Sequence, residues 1–283
     1  MNAISLYEVS PRDGLQGLPR AIPLRKKVKL IKKLKSAGIE DIEVGSLVHP
    51  SILPMRESGK LYRKTGGDLL VVNEKGFDRA IELGLESVNV VISPDNDFNK
   101  TNQKNTYQNI MSIYQNKCKD IPINRLYISC AFSEGVSKKA VLECVKWGKD
   151  ISKYIVLCDT DSNATVESIA SLCRGARKIT HNLSIHLHVN EDSAEYIKAA
   201  YDSGIRQFDC SVGGLGGCFS VDSAQSNLRT ESLVSWALSN DIPIEENIHV
   251  DKLTSTGEYA YNLAHSYSQT RLEKIMSKIG ILL

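Results

Sequence analysis

Ser184-Ile185-His186-Leu187-His188-Val189 is a β-branched run, followed by the amphipathic stretch Ala194–Ser203. Side chains alternate along a strand, so both histidines share one face while Ile185, Leu187 and Val189 share the other. A strand and a helix within about 30 residues make the unit of a parallel βαβ crossover. Working outward, the same unit recurs. The spacing predicts strands at Ile4–Glu8, Ile39–Glu43, Leu69–Val72, Ser87–Ile92, Arg125–Cys130, Tyr154–Cys158 and Gln207–Val212. Helical periodicity follows at Leu24–Ala37, Lys75–Leu83, Thr106–Lys117, Lys138–Trp147, Val166–Ile179 and Thr230–Leu238, with a helical or irregular stretch up to Lys64. About eight such units close a TIM (β/α)8 barrel, with an open doubly wound sheet as the competing arrangement. Residues 247–283 read as extra C-terminal helices. No linker or low-complexity segment interrupts the chain, so residues 1–283 are expected to form one α/β barrel domain.

Composition narrows the function. The 283 residues are 42% hydrophobic and 24% charged, and 35 Lys and Arg face 33 Asp and Glu. That balance supplies no global field for nucleic acid or an anionic membrane, so no nucleic-acid partner is expected. The lysines of Arg25–Lys35 alternate with Val28, Ile31, Leu34 and Ala37 at helical spacing, and are expected on the solvent face of a barrel helix. The first residues enter a strand without a charged and apolar leader, and no apolar run is long enough to span a bilayer, which predicts a cytoplasmic protein. The seven cysteines are scattered without a Cys-x-x-Cys pair, so reduced thiols are expected, with Cys130, Cys158 and Cys210 acting as small hydrophobes.

Barrel active sites lie at the carboxyl ends of the strands, and here those ends are polar. Arg12 and Asp13 follow the first strand, Glu43 ends the second, Asn73 the third and Ser93 the fourth. Ser129 and Cys130 end the fifth and Asp159 and Thr160 the sixth; His186 and His188 lie on the seventh. Two imidazoles and a carboxylate, with Asp13 the evident candidate, suit a divalent ion. The loop Gly213-Gly214-Leu215-Gly216-Gly217-Cys218 ends the last strand, so it is not a dinucleotide fingerprint. It suits a lid, with Cys218 as an acid, a nucleophile or a structural thiol.

These residues bring a family into view. Ser10-Pro11-Arg12-Asp13-Gly14-Leu15-Gln16 resembles the opening motif of the 3-hydroxy-3-methylglutaryl-CoA (HMG-CoA) lyases, members of the DRE-TIM metallolyase superfamily. Ser211–Cys218 is similar to their glycine-loop signature, and Asn227-Leu228-Arg229-Thr230-Glu231 follows at matching spacing. The likeness runs from about Tyr7 to about Leu253. It implies that Asp13, His186, His188 and Asn227 hold a divalent cation, Mg2+ or Mn2+. The reaction implied is a retro-Claisen cleavage of an acyl-CoA thioester to acetyl-CoA and acetoacetate. Arg12 would stabilise charge on the thioester oxygen, Cys218 would protonate the enolate carbon, and Glu43, Asp13 and His186 are acid/base candidates. The resemblance also implies a homodimer.

The chain departs from that pattern in places. Val189 stands where the family has Asp or Asn, Asp192 and Ser226 replace glycines, and Cys158 and Ser162 stand where glycines flank the Asp-Thr pair. Phe219-Ser220 replaces Pro-Tyr, and a Gly-Cys-Pro-Tyr-Glu-Gly insertion after Cys130 is missing. A divergent member is expected, acting on HMG-CoA, a related 3-hydroxyacyl-CoA or another hydroxy acid. The competing readings are a Claisen-type synthase joining an acyl-CoA to a 2-oxo acid, a barrel retained as a binding protein, and an iron oxygenase.

Overall fold

In the computed structural model, which describes residues 3–189, 193–216 and 226–268, the chain alternates strand and helix. The barrel strands are β1 (Ser5–Glu8), β2 (Glu43–Ser46), β3 (Asp68–Val71), β4 (Val88–Ile92), β5 (Ile123–Ile128), β6 (Ser152–Cys158), β7 (Leu183–His186) and β8 (Gln207–Cys210). They form one parallel sheet in the order β1-β8-β7-β6-β5-β4-β3-β2. The ring closes where Glu8 N–H donates to the Asp41 carbonyl at 2.9 Å, beside a parallel bridge from Glu8 to Ile42. This is a TIM (β/α)8 barrel.

Alternation along each strand divides two interiors. On β5, Leu126 and Ile128 join the large apolar core beneath the outer helices, whereas Tyr127 packs inside the barrel with Leu70, Val156 and Cys158. Arg125, on the same inner face, reaches Ser184 and Asp209 across the barrel. Barrel interiors are ordinarily filled with branched apolar side chains. This one carries a polar layer of Tyr7, Asp68, Asn89, Arg125, Ser184 and Asp209 below the apolar group.

Several expected boundaries move. The second strand begins at Glu43 instead of ending there. Ile39 and Ile42 are buried in the lead-in, and the residues that pair with β3 include Gly45, whose lack of a side chain hides it from a β-propensity reading. The helix Asn96–Gln103 is new; its NDFNKTNQ sequence has no apolar stripe to announce it, and Asp95 caps it by accepting from Asp97 N–H at 2.8 Å. The seventh strand stops at His186. His188–Val189 leaves the barrel and pairs antiparallel with Ser226–Asn227. In helix Leu24–Ser36, Lys27 is not on the solvent face. It is 1% exposed, and its Nζ donates to the Pro54 carbonyl at 2.6 Å, with burial lowering it to about 8.

The helix Val250–Ser268 realises the described part of the expected C-terminal extension; the remainder lies outside the described residues. Among the described residues, no helix is long and apolar enough to cross a membrane.

Candidate metal centre

The chain turns sharply after β1. Arg12 and Asp13 amides both donate to the Val9 carbonyl, at 3.1 and 2.8 Å, which brings their side chains to the barrel mouth. Glu8 pins this turn to the loop after β8. It accepts from Ser10 N–H at 2.9 Å, Val212 N–H at 3.1 Å and the Thr230 hydroxyl at 2.7 Å. Burial pushes the Glu8 carboxyl up to about 7 despite those donors.

Arg12 is buried. Its Nε donates to Glu43 and its Nη1 to Asp13 Oδ1 at 2.5 Å, and its guanidinium lies 5.5 Å from the Tyr127 ring centroid. Glu43 Oε1 accepts from Asn89 at 2.7 Å and from Tyr127 at 3.3 Å. Burial raises the Glu43 carboxyl, and Arg12 counters it. Asp13 is half-buried, and Arg12 and the histidines hold it well below the usual carboxylate range.

His186 Nε2 stands 3.2 Å from His188 Nε2 and 3.7 Å from Asp13 Oδ2. Donor atoms of Asp13, His186 and His188 all lie within 4.8 Å of one another. Burial and the neighbouring His186 press His188 down to about 4, so it is neutral near pH 7 with a lone pair to offer. Burial also works against the His186 cation, but Asp209 and Asp13 outweigh it and raise that ring.

Asn227 completes the group from the strand opposite His188. Its Nδ2 donates to Asp13 Oδ2 and to the Leu215 carbonyl, each at 2.8 Å, while its buried Oδ1 has no hydrogen-bond donor. Buried polar atoms are rarely left so. A cation among two imidazole nitrogens, a carboxylate and this amide oxygen would satisfy it, so the donor set fits a divalent ion. Gly216 makes the approach feasible: at φ +114, a side chain there would place its Cβ 2.2 Å from Asn227 Nδ2.

A cavity of about 840 Å³ opens over the cluster. Arg12, Asp13, His186 and His188 line one wall, and Leu70, Val72, Val91 and Phe98 contribute apolar surface. Other polar strand ends have local tasks. Asn73 caps helix Glu74–Glu82 by accepting from Gly76 N–H at 3.0 Å, although it also borders the cavity. Ser93 donates to the Ser129 carbonyl at 3.0 Å. Cys158 and Cys210 are buried in strands, and Cys130 is buried just beyond β5. Asp159 is 1% exposed, with Oδ1 accepting from Ala164 N–H at 3.0 Å and Oδ2 without a partner, and burial lifts it to about 6.

Cys218, Phe219, Ser220 and Asp192 lie outside the described residues. Of the departures within them, Val189 and Ser226 are direct partners in the antiparallel ribbon, so two of the altered positions meet. Ser162 adopts φ +61 without being glycine. Asp209 and Arg125, beneath the histidines, are not among the residues that the strand-end pattern picks out. The available signal was the period-two pair Gln207 and Asp209 on an apolar strand, which puts both inside the barrel.

A family model described as HMGL-like matches residues 3–259. The (R)-citramalyl-CoA lyase of Chloroflexus aurantiacus is 29% identical over 92% of this chain and 90% of its own length. The HMG-CoA lyase of Pseudomonas mevalonii is 30% identical over 83% and 84%. Among solved structures, an HMG-CoA lyase from Acinetobacter baumannii in complex with coenzyme A and 3-methylmalate superposes with a TM-score of 0.84 at 27% identity, covering 96% of this chain and 95% of that one. The motifs, the barrel and the match over most of its length agree: the chain is a divergent member of the HMGL-like family and a carbon–carbon lyase.

Proposed function

We propose that this lyase cleaves the C2–C3 bond of a 3-hydroxy-3-methylacyl-CoA, with HMG-CoA and the one-carbon-shorter citramalyl-CoA as the substrates to compare. The observation that carries the reading is the unsatisfied Asn227 Oδ1, buried beside Asp13, His186 and His188 and next to Arg12. Asp13, His186, His188 and Asn227 would hold a divalent ion, Mg2+ or Mn2+, which when bound supplies Lewis acidity toward the substrate's hydroxyl and neighbouring oxygen.

The chain's own groups supply the rest. The C3 hydroxyl loses its proton, the C3–O bond becomes a carbonyl, and the C2–C3 electron pair moves into the thioester as an enolate. Arg12, already fixed by Glu43 and Asp13, meets the charge that develops on the thioester oxygen. Glu43 does not border the cavity and is engaged by Arg12 and Asn89, so its part is to hold Arg12. Asp13 is too acidic to be a good base near neutrality and serves as an anionic donor. Asp159, raised to about 6 by burial and with one oxygen unpartnered, lies behind the cavity wall, and we place it as the group that receives the hydroxyl proton through a bridging water. Cys218 is proposed to return a proton to C2, giving acetyl-CoA. The ketone product is acetoacetate from HMG-CoA and pyruvate from citramalyl-CoA.

The test is product release from both thioesters with Mg2+ or Mn2+ and with a chelator. Acetyl-CoA formed from either, and abolished by chelation, supports the reading. Folded, metal-supplied protein inert toward both would overturn it.

A further inference from the structure

We infer that Asp209 is a positioning residue that keeps the proton of His186 on Nδ1, leaving the Nε2 lone pair turned toward Asp13 and His188. Two buried atoms without hydrogen-bond partners face each other here: His186 Nδ1 and Asp209 Oδ2, 3.5 Å apart. A carboxylate oxygen can only accept, and Nε2 also faces one, Asp13 Oδ2 at 3.7 Å; but that oxygen already accepts from Asn227, whereas Asp209 Oδ2 has no other donor, so in the neutral imidazole the proton belongs on Nδ1 and Nε2 carries none. A small closure of this gap satisfies both atoms at once.

The backbone enforces the pairing. His186 and Asp209 are register partners on β7 and β8, so their side chains lie side by side inside the barrel. Asp209 is 1% exposed and cannot swing away, because its Oδ1 accepts from Arg125 and from the Ser184 hydroxyl at 2.9 Å. Arg125 is held in turn, its guanidinium 3.7 Å from the Tyr7 ring centroid and hydrogen-bonded to Gln207. The polar layer below the site thus acts as a clamp on one imidazole. A histidine that binds a metal usually donates its other N–H to a carboxylate or carbonyl, and losing that partner weakens affinity about 10–100-fold. This consequence rests on the proposed metal site, whereas the tautomer does not.

The experiment has two arms. In metal-free wild-type protein labelled with 15N-histidine, long-range 15N–1H correlation at mildly alkaline pH reads the tautomer, with His186 identified by the loss of its signals in His186→Gln. Protonation at Nδ1 is expected; an Nε2-protonated ring overturns the inference. In the second arm, Mn2+ binding is followed by its electron paramagnetic resonance signal in wild type, Asp209→Asn, and Arg125→Met combined with Asp209→Leu, which leaves no acceptor facing His186 Nδ1. The double variant removes both buried charges, so a stranded guanidinium does not confuse the result. An affinity loss of about 10–100-fold in the variants is expected; wild-type affinity in a folded double variant overturns the inference. A wild-type protein that has the Nδ1 tautomer but binds no Mn2+ instead overturns the metal site alone.

Discussion

Asn227 stands directly opposite His188 in a two-residue antiparallel ribbon, and from there its amide nitrogen reaches Asp13 at 2.8 Å. The ribbon therefore joins groups contributed by the loop after β1, the end of β7 and the segment following the glycine loop. The Asn227 amide oxygen, buried and without a donor, is the observation behind the cation site proposed above.

Asn227→Ala should weaken Mn2+ binding by about tenfold or more, by analogy with the loss of other groups that orient a metal site. The barrel should persist, since Leu228 N–H still donates to the Leu187 carbonyl at 3.0 Å and keeps the ribbon in place. Titration of the Mn2+ signal checks this, and an unchanged dissociation constant would remove Asn227 from the ligand set.

Arg12→Gln should lower kcat by about 10²–10³-fold, the usual cost of deleting a donor aimed at developing negative charge. Metal affinity should change far less, because Arg12 is not a donor to the cation. The variant also leaves Glu43 buried without its counter-charge, and that carboxyl is expected to take up a proton. Steady-state kinetics at saturating metal is the check; kcat within a few-fold of wild type would displace Arg12 from the role assigned.

Glu8 predicts a pH dependence of stability. Its carboxyl is raised by burial from 4.5 to about 7, so the folded state binds the proton more tightly than the unfolded chain. Stability from this group is fully present at low pH, falls as pH rises between about 4.5 and about 7, and levels off above, with an upper bound of about 3 kcal/mol. Glu8→Gln should flatten that slope while leaving an acceptor for the Ser10 and Val212 amides. Urea midpoints measured from about pH 5 to about pH 8 decide it, and equal slopes in the two proteins would contradict the assignment.

Gly257 ties the helix Val250–Ser268 to the glycine loop. A Cβ there would fall 1.8 Å from Glu231 Oε1, and Glu231 accepts from Gly213 N–H at 3.0 and 3.1 Å. Gly257→Ala should cost about 1–3 kcal/mol of stability, because helix or carboxylate must retreat. A neutral result in urea unfolding would show that the helix can slide without cost.

Much of the fold was legible in the chain because it depends on local periodicity. Ile155 and Leu157, or Ile169, Leu172 and Cys173, repeat at the spacing of a strand and a helix whatever surrounds them, and repetition of that unit leads to the barrel. Where periodicity is weak the elements are hidden: the polar helix Asn96–Gln103 has no apolar stripe, and Gly45 masks the middle of β2. Arg12, Asp13, Glu43, His186 and His188 stood out as chemistry-bearing residues at or near strand ends.

The alternating architecture and the kinds of side chain available at the barrel mouth are both written locally, since both follow from residues near one another in the chain. Long-range folding alone puts Asn227 opposite His188, sets Glu43 against Arg12, and places Asp209, held by Arg125, beside His186. Those relationships join strands and loops far apart in sequence, and they depend on sheet register and on buried polar groups needing partners. Neither of those is written in any local pattern.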